Sequence, residues 1–91
     1  MQQKMYALTY RLDINDKSFA ITLAVSNNVR KLTEYMNEQA IIECKVKNFV
    51  ISKTFDDGII LTHNLVDDLC VEYRVTEVLV FQCNKKYKDY G

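Results

Sequence analysis

The first 25 residues contain two runs in which apolar side chains alternate with polar or small ones, and these runs predict a β-hairpin. The apolar positions are Tyr6, Leu8, Tyr10, Leu12 and Ile14 in the first run, and Phe19, Ile21, Leu23 and Val25 in the second. A two-residue loop at Asn15-Asp16 would pair Leu12 with Phe19, Tyr10 with Ile21, Leu8 with Leu23 and Tyr6 with Val25. All large apolar side chains then share one face, which predicts an antiparallel sheet with one wet face.

A helical pattern follows the hairpin. Ser26-Asn27-Asn28 offers side-chain oxygens that can cap a helix N-terminus. Beyond them, apolar residues recur at helical spacing, namely Val29, Leu32, Met36 and Ala40, with Tyr35 beside them. We therefore expect a helix over about residues 27–40.

The charges of this helix oppose its dipole. Arg30 and Lys31 fall in the first turn and Glu38 near the predicted end, while Glu34 and Glu38 are like charges one turn apart. Such a helix is not optimised for stability, and a surface that contacts a partner or an anion would explain the pattern. The plain alternative is drift of surface charge, at a cost of a few tenths of a kcal/mol for each residue. The candidate partner-binding residues are Arg30, Lys31, Glu34, Tyr35 and Glu38.

Strand patterns resume after residue 40. Ile42, Cys44 and Val46 alternate with charged residues, and the phase changes near Lys47-Asn48, which predicts a β-bulge or a tight turn. Phe49 and Ile51 continue the strand pattern. Asp56-Asp57-Gly58 predicts a turn in which Gly58 is free to take a positive φ, and Ile59-Ile60-Leu61 begins another strand.

Residues 64–75 fit two patterns. A helix capped by Asn64 would align Leu65, Val66, Leu69, Cys70 and Tyr73, whereas a strand would align Leu69, Val71, Tyr73 and Val75. We favour the strand because the segment is rich in Val, Tyr and Thr. The pattern predicts a further strand at residues 78–83. Residues 84–91 are polar, and we expect them to form a frayed tail. The whole chain, residues 1–91, is expected to form one compact domain. The expected class is α+β, an antiparallel β-sheet with one α-helix packed on one face, in the order ββα and then three to four strands.

Composition narrows the function classes. The formal net charge is zero, there is no proline, and glycine occurs only at Gly58 and Gly91. A phosphate-cradling loop needs several glycines, so phosphate-loop hydrolases and dinucleotide-binding folds are excluded. No stretch approaches the ~20 apolar residues of a membrane span, and no secretory signal is visible. Three widely spaced cysteines (Cys44, Cys70 and Cys83) indicate a reducing, cytoplasmic setting.

Catalytic and metal signals are weak. His63 is the only histidine, and a small Cys/His enzyme would need the fold to bring it to one of the three cysteines. The adjacent carboxylates Asp56-Asp57 and Asp67-Asp68 are typical of turns, where neighbouring side chains diverge into water. We expect no catalytic residues, no metal and no cofactor.

The leading expectation is therefore a small, non-catalytic protein-binding module. The Lys-, Asn-, Ile- and Tyr-rich composition indicates AT-rich codons, and by analogy alone we expect an inhibitor of a larger complex from a phage or mobile element, of the anti-CRISPR kind. A protein partner is the first expectation and a second copy of the chain the next. The alternative is nucleic-acid binding by the basic helix start and a Lys/Tyr tail, comprising Lys85, Lys86, Tyr87, Lys88 and Tyr90.

Overall fold

A computed structural model describes residues 4–78 of the chain. Its elements are β1 (Met5–Ile14), β2 (Lys17–Ser26), α1 (Val29–Val46), β3 (Phe49–Phe55), β4 (Gly58–His63) and β5 (Leu69–Val78). The strands form one antiparallel sheet in the order β2-β1-β5-β4-β3, and α1 packs on one face of it. The α+β class and the order ββα followed by three strands are confirmed. Of the strand predicted at residues 78–83, only Val78 is described, and it is the last residue of β5. The rest of that strand and the predicted tail lie outside the described residues.

The β1–β2 hairpin forms as predicted near its loop. Ile14 pairs with Lys17 across Asn15-Asp16, and Leu12 pairs with Phe19 and Tyr10 with Ile21. Asn15 takes the left-handed conformation, with φ 50°, which asparagine tolerates better than most residues.

The predicted register is wrong beyond this point. A β-bulge lies between Leu8 and Thr9 in the pairing, so Leu8 pairs with Ala24 and Tyr6 with Ser26. Leu23 is the extra residue, and Val25 pairs with Ala7 on the face away from α1. A bulge inserts one residue without breaking the apolar alternation of the sequence, so the pattern alone did not show it.

The helix begins where predicted and ends later. The Asn28 side chain caps it by accepting hydrogen bonds from the amides of Arg30 and Lys31. It continues to Val46, so the predicted strand at residues 42–46 is wrong. The buried face explains the extension, because Leu32, Met36, Ala40 and Glu43 follow one another at helical spacing.

The change of phase near Lys47-Asn48 is thus a helix–strand junction and not a bulge within a strand. Asn48 has φ 64°, the left-handed conformation that commonly follows a helix end. Lys45 lies in the last turn, where a cation favours the helix dipole. Only the first turn, which has no acidic residue, opposes the dipole as predicted.

The β3–β4 turn and β5 match the sequence pattern in outline. Phe55 pairs with Gly58 across Asp56-Asp57, but Gly58 does not take a positive φ, so that expectation is wrong. Gly58 is needed for space, since a Cβ there would lie 2.7 Å from the carbonyl oxygen of Tyr73. Residues 69–78 form a strand and residues 64–68 a loop, which confirms the strand interpretation over the helical one.

The core lies between α1 and the middle of the sheet. Its buried members are Leu8, Leu32, Met36, Ala40, Phe49, Ile59, Leu61, Val71, Tyr73 and Val75. Five of these come from β4 and from β5's first seven residues at alternating positions, as half-buried strands require. Tyr73 is 2% exposed, so it is a core residue.

Candidate functional site: an uncovered apolar corner

The path of α1 decides which part of the sheet is covered. The helix starts after Ser26, which pairs with Tyr6 at one end of the sheet. It ends before Phe49, which pairs with His63 at the other end and on the opposite edge. A helix that joins these two points crosses the sheet diagonally. The corner where β2 begins is therefore left without a helix above it.

Four side chains form this uncovered corner, which we call the open corner. They are Tyr10, Leu12, Phe19 and Ile21, which pair across β1 and β2 on the face that carries α1. Tyr10 and Leu12 are partly buried against the core, whereas Phe19 and Ile21 are each 58% exposed. Large apolar side chains that stay exposed side by side are typical of an interaction surface.

One flank of α1 borders the open corner. Tyr35, Ile42 and Val46 recur at helical spacing and are 39%, 47% and 70% exposed. β2 and β3 run in the same direction, and because about 98% of crossovers between parallel strands of one sheet are right-handed, we infer that hand for the connection through α1. This handedness, with the right-handed winding of α1, directs that flank toward the start of β2. The open corner and the α1 flank thus form one apolar surface with a floor and one wall.

The outer edge of β2 is a second feature of this site. β2 is the edge strand of the sheet, and no strand among residues 4–78 pairs with its outer side. Its ten residues contain no proline and a single charge, Lys17. Such an edge presents free main-chain donors and acceptors that another strand can use.

A buried carboxylate lies beneath α1 near Tyr10 and Tyr73. Glu43 is 5% exposed, and its Oε1 accepts from the ammonium of Lys47 at 3.1 Å, which raises the pKa of Lys47. Burial and then the nearby Glu43 raise the pKa of Tyr10 and, more strongly, of Tyr73. The rings of Tyr10 and Tyr73 pack edge to face with centroids 5.2 Å apart. These groups lie between the helix and the sheet, beside the open corner.

The predicted partner-binding residues all lie on exposed parts of α1. Arg30, Lys31, Glu34, Tyr35 and Glu38 are solvent-exposed, but only Tyr35 belongs to the apolar flank. The amides of Arg30 and Lys31 already donate to the Asn28 side chain, so they are not free to bind an anion. The residues of the Lys/Tyr tail proposed for nucleic acid lie outside the described part of the chain.

The Cys/His hypothesis has a partial geometric basis. His63 and Cys70 both line a cleft of about 760 Å³ at the end of the sheet near the β1–β2 loop. Nδ1 of His63 accepts from the amides of Leu65 and Val66, at 3.0 and 2.9 Å, and so holds the loop after β4. Burial raises the pKa of the Cys70 thiol, which is opposite to the shift that activates a nucleophile.

Four other charged residues form an ion-pair network. On the sheet face away from α1, Glu72 binds both Arg11, at 3.0 Å, and Arg74, while Arg74 also binds Asp57 at 3.1 Å. This network covers the face that the sequence predicts to be wet. Within residues 4–78, no group of three or more His, Cys, Asp or Glu side chains could hold a metal ion.

Sequence reasoning placed Phe19 and Ile21 in the core and so missed the open corner. A usable signal was present, because one helix cannot cover the full width of a sheet with five strands. No protein-family model matches the chain, and no curated protein or solved structure is significantly similar to it. In the part of the chain that the structure describes, no helix has the length and apolar character needed to span a membrane.

Proposed function

We propose that this protein is a non-catalytic protein-binding module that docks a partner on the open corner and the adjoining flank of α1. The observation that supports the proposal is the 58% exposure of Phe19 and Ile21 beside a helix that passes them without covering them. The partner is a protein that presents an apolar segment. Its burial against the five exposed side chains of this surface, Phe19, Ile21, Tyr35, Ile42 and Val46, would stabilise the complex in proportion to the apolar area removed from water.

Two features favour a protein over nucleic acid as the ligand. The surface is apolar, with aromatic rings from Phe19 and Tyr35, and such residues are enriched at the centres of protein interfaces. The chain has no net positive charge to attract phosphate. We further propose that the module acts by occluding its partner's surface, as an inhibitor would, in the cytoplasm, where Cys44 and Cys70 stay as the free thiols that the structure shows.

The test is a capture experiment with matched variants of the full chain. The test variant carries Phe19→Ser and Ile21→Ser, which remove the apolar floor from positions that are mostly exposed. The control carries Val50→Ser and Ile51→Ser on β3, where the wild-type side chains are 47% and 51% exposed. Circular dichroism first establishes that all three proteins have the same fold.

The proposal expects a protein that is captured in stoichiometric amount by the wild type and the control but not by the test variant. It also expects the purified pair to bind with an affinity that falls at least about tenfold on the double substitution. If the two variants capture the same proteins equally well, the open corner is not the docking surface. If the protein instead captures nucleic acid, and added salt releases it, then nucleic-acid binding replaces this proposal.

A further inference from the structure

The free edge of β2 has a regular pattern of unpaired main-chain groups. Lys17 follows a two-residue loop and pairs with Ile14, so these two residues form a hydrogen-bonded pair. Hydrogen-bonded and non-hydrogen-bonded pairs alternate along an antiparallel ladder. The amides and carbonyls of Ser18, Ala20 and Thr22 therefore point away from β1, toward the outer side of the sheet.

This edge is complementary to itself. If two copies of β2 pair antiparallel about a two-fold axis at Ala20, then Ser18 lies opposite Thr22 of the second copy, and about six main-chain hydrogen bonds form. Phe19 then lies opposite Ile21 of the second copy, an aromatic and β-branched pair of the kind that stabilises a sheet. Lys17 is the only charge in the strand, and this register keeps the two copies of it apart.

The opposite edge of the sheet is protected against such pairing. β3 has a β-bulge between Ile51 and Lys53, which interrupts a regular ladder. The ammonium of Lys53 lies 5.1 Å from the centre of the Phe55 ring on the same strand. A bulge and a lysine are the features by which natural edge strands avoid association. In β2, residues 18–22 contain neither a lysine nor a bulge. The only lysine of the strand is its first residue, Lys17, and its bulge comes later, at Leu23.

We infer that β2 pairs with β2 of a second copy and joins the two sheets into one of ten strands about a two-fold axis at Ala20. The axis is perpendicular to the sheet, so both helices lie on the same side. The two open corners become neighbours and form the floor of one trough, and each α1 flank forms a wall. The docking role of this trough rests on the proposed function, whereas the dimer itself does not.

The second copy therefore completes the site. One protomer supplies a floor and a single wall, and its partner supplies the other wall and the second half of the floor, with a second Phe19 and Ile21. A pairing of single strands buries a small area, so the dimer is a weak one whose population depends on protein concentration.

The experiment is the mass of the full-length protein by light scattering and analytical ultracentrifugation over a wide concentration range. Ala20→Lys is the test variant, because Ala20 is exposed and the substitution opposes two like charges across the axis. Thr54→Lys, at an exposed position on β3, is the matched control. The expected result is a mass that rises from 10.7 kDa toward twice that value for the wild type and the control, while Ala20→Lys stays monomeric.

Either of two results would overturn the dimer: a wild type that stays monomeric throughout, or dimers that persist unchanged in Ala20→Lys. Partner capture by Ala20→Lys separates the two proposals, because this variant keeps Phe19 and Ile21. If it is monomeric and captures as well as the wild type, the dimer and the proposed function stand, but the trough is not required for docking. If the trough of the dimer is required for docking, Ala20→Lys should be monomeric and should no longer capture the partner.

Discussion

Ile21 pairs with Tyr10 across the β1–β2 ladder, yet Tyr10 packs against the core while Ile21 remains 58% exposed. The two side chains share one face of the sheet and differ only in their distance from α1. This boundary marks where the helix stops covering the sheet. The apolar surface beyond it is the basis of the binding function proposed above.

The exposure of Ile21 predicts a small effect on stability. Ile21→Ala should lower the free energy of unfolding by less than about 1 kcal/mol, because water already reaches most of the side chain. Leu61→Ala, at a position that is 0% exposed, should cost about 2–5 kcal/mol. Urea unfolding at a protein concentration low enough to exclude self-association measures both values. Equal losses for the two variants would mean that Ile21 belongs to the core.

Gly58→Ala should destabilise the protein. The new Cβ would lie 2.7 Å from the carbonyl oxygen of Tyr73, which is main chain and cannot move aside cheaply. We expect a loss of about 1–3 kcal/mol, typical of overpacking, although alanine for glycine at an unstrained site usually stabilises. Asp56→Ala in the same turn is the control, and the urea midpoint is the measurement. A midpoint that stays equal or rises for Gly58→Ala would show that the site has room.

Stability should fall at alkaline pH. Burial raises the pKa of Tyr73 and of Tyr10 above the ordinary value of about 10, so the folded state favours the neutral phenols. This contribution is complete below pH of about 10 and decreases as the pH rises above it. Lys47, whose pKa is raised by its bond to Glu43, acts in the same direction.

Tyr73→Phe isolates the largest part of this effect. The free energy of unfolding, measured in urea between pH 8 and pH 11.5, should fall less steeply in the variant than in the wild type. The difference in slope approaches 1.4 kcal/mol per pH unit, or about one proton, where Tyr73 is ionised only in the unfolded chain. Tyr6→Phe, whose wild-type ring is also partly buried, provides the control. Parallel pH profiles for Tyr73→Phe and the wild type would contradict the assignment.

The thiol of Cys70 should react slowly. Burial, followed by the charges of Asp13 and Glu72, raises its pKa and so lowers the thiolate fraction at neutral pH. In a variant with Cys44→Ser and Cys83→Ser, Cys70 should react with a disulfide reagent at pH 7.5 more slowly than free glutathione does. A reaction faster than that of glutathione would restore the Cys/His enzyme as a serious alternative.

The sequence predicted those parts of the fold that depend on local alternation. The two-residue loop at Asn15-Asp16, the pairing of Leu12 with Phe19, and the β5 strand all follow from period-two patterns bounded by turn residues. The end of α1 did not follow, because residues 42–46 alternate like a strand. In the structure the segment is helical, with Glu43 on the buried face of α1 and paired with Lys47 one turn later.

The candidate site was less predictable because it depends on tertiary arrangement. Phe19 and Ile21 have the pattern of core residues, and their exposure results from the diagonal path of α1. Tyr35 was selected from sequence as part of a helix surface that could contact a partner, and it is 39% exposed on the α1 flank. The bulge at Leu23, which turns Val25 to the other face, has no signature in the apolar alternation.

The most direct test of the β2 edge as a recognition edge is hydrogen exchange of its outward amides. The amides of Ser18, Ala20 and Thr22 should exchange quickly in dilute full-length protein and become protected as its concentration rises. The inward amides of Phe19 and Ile21, which bond to β1, should be protected at every concentration. Fast exchange of the outward amides at all concentrations, or slow exchange at all of them, would contradict the account.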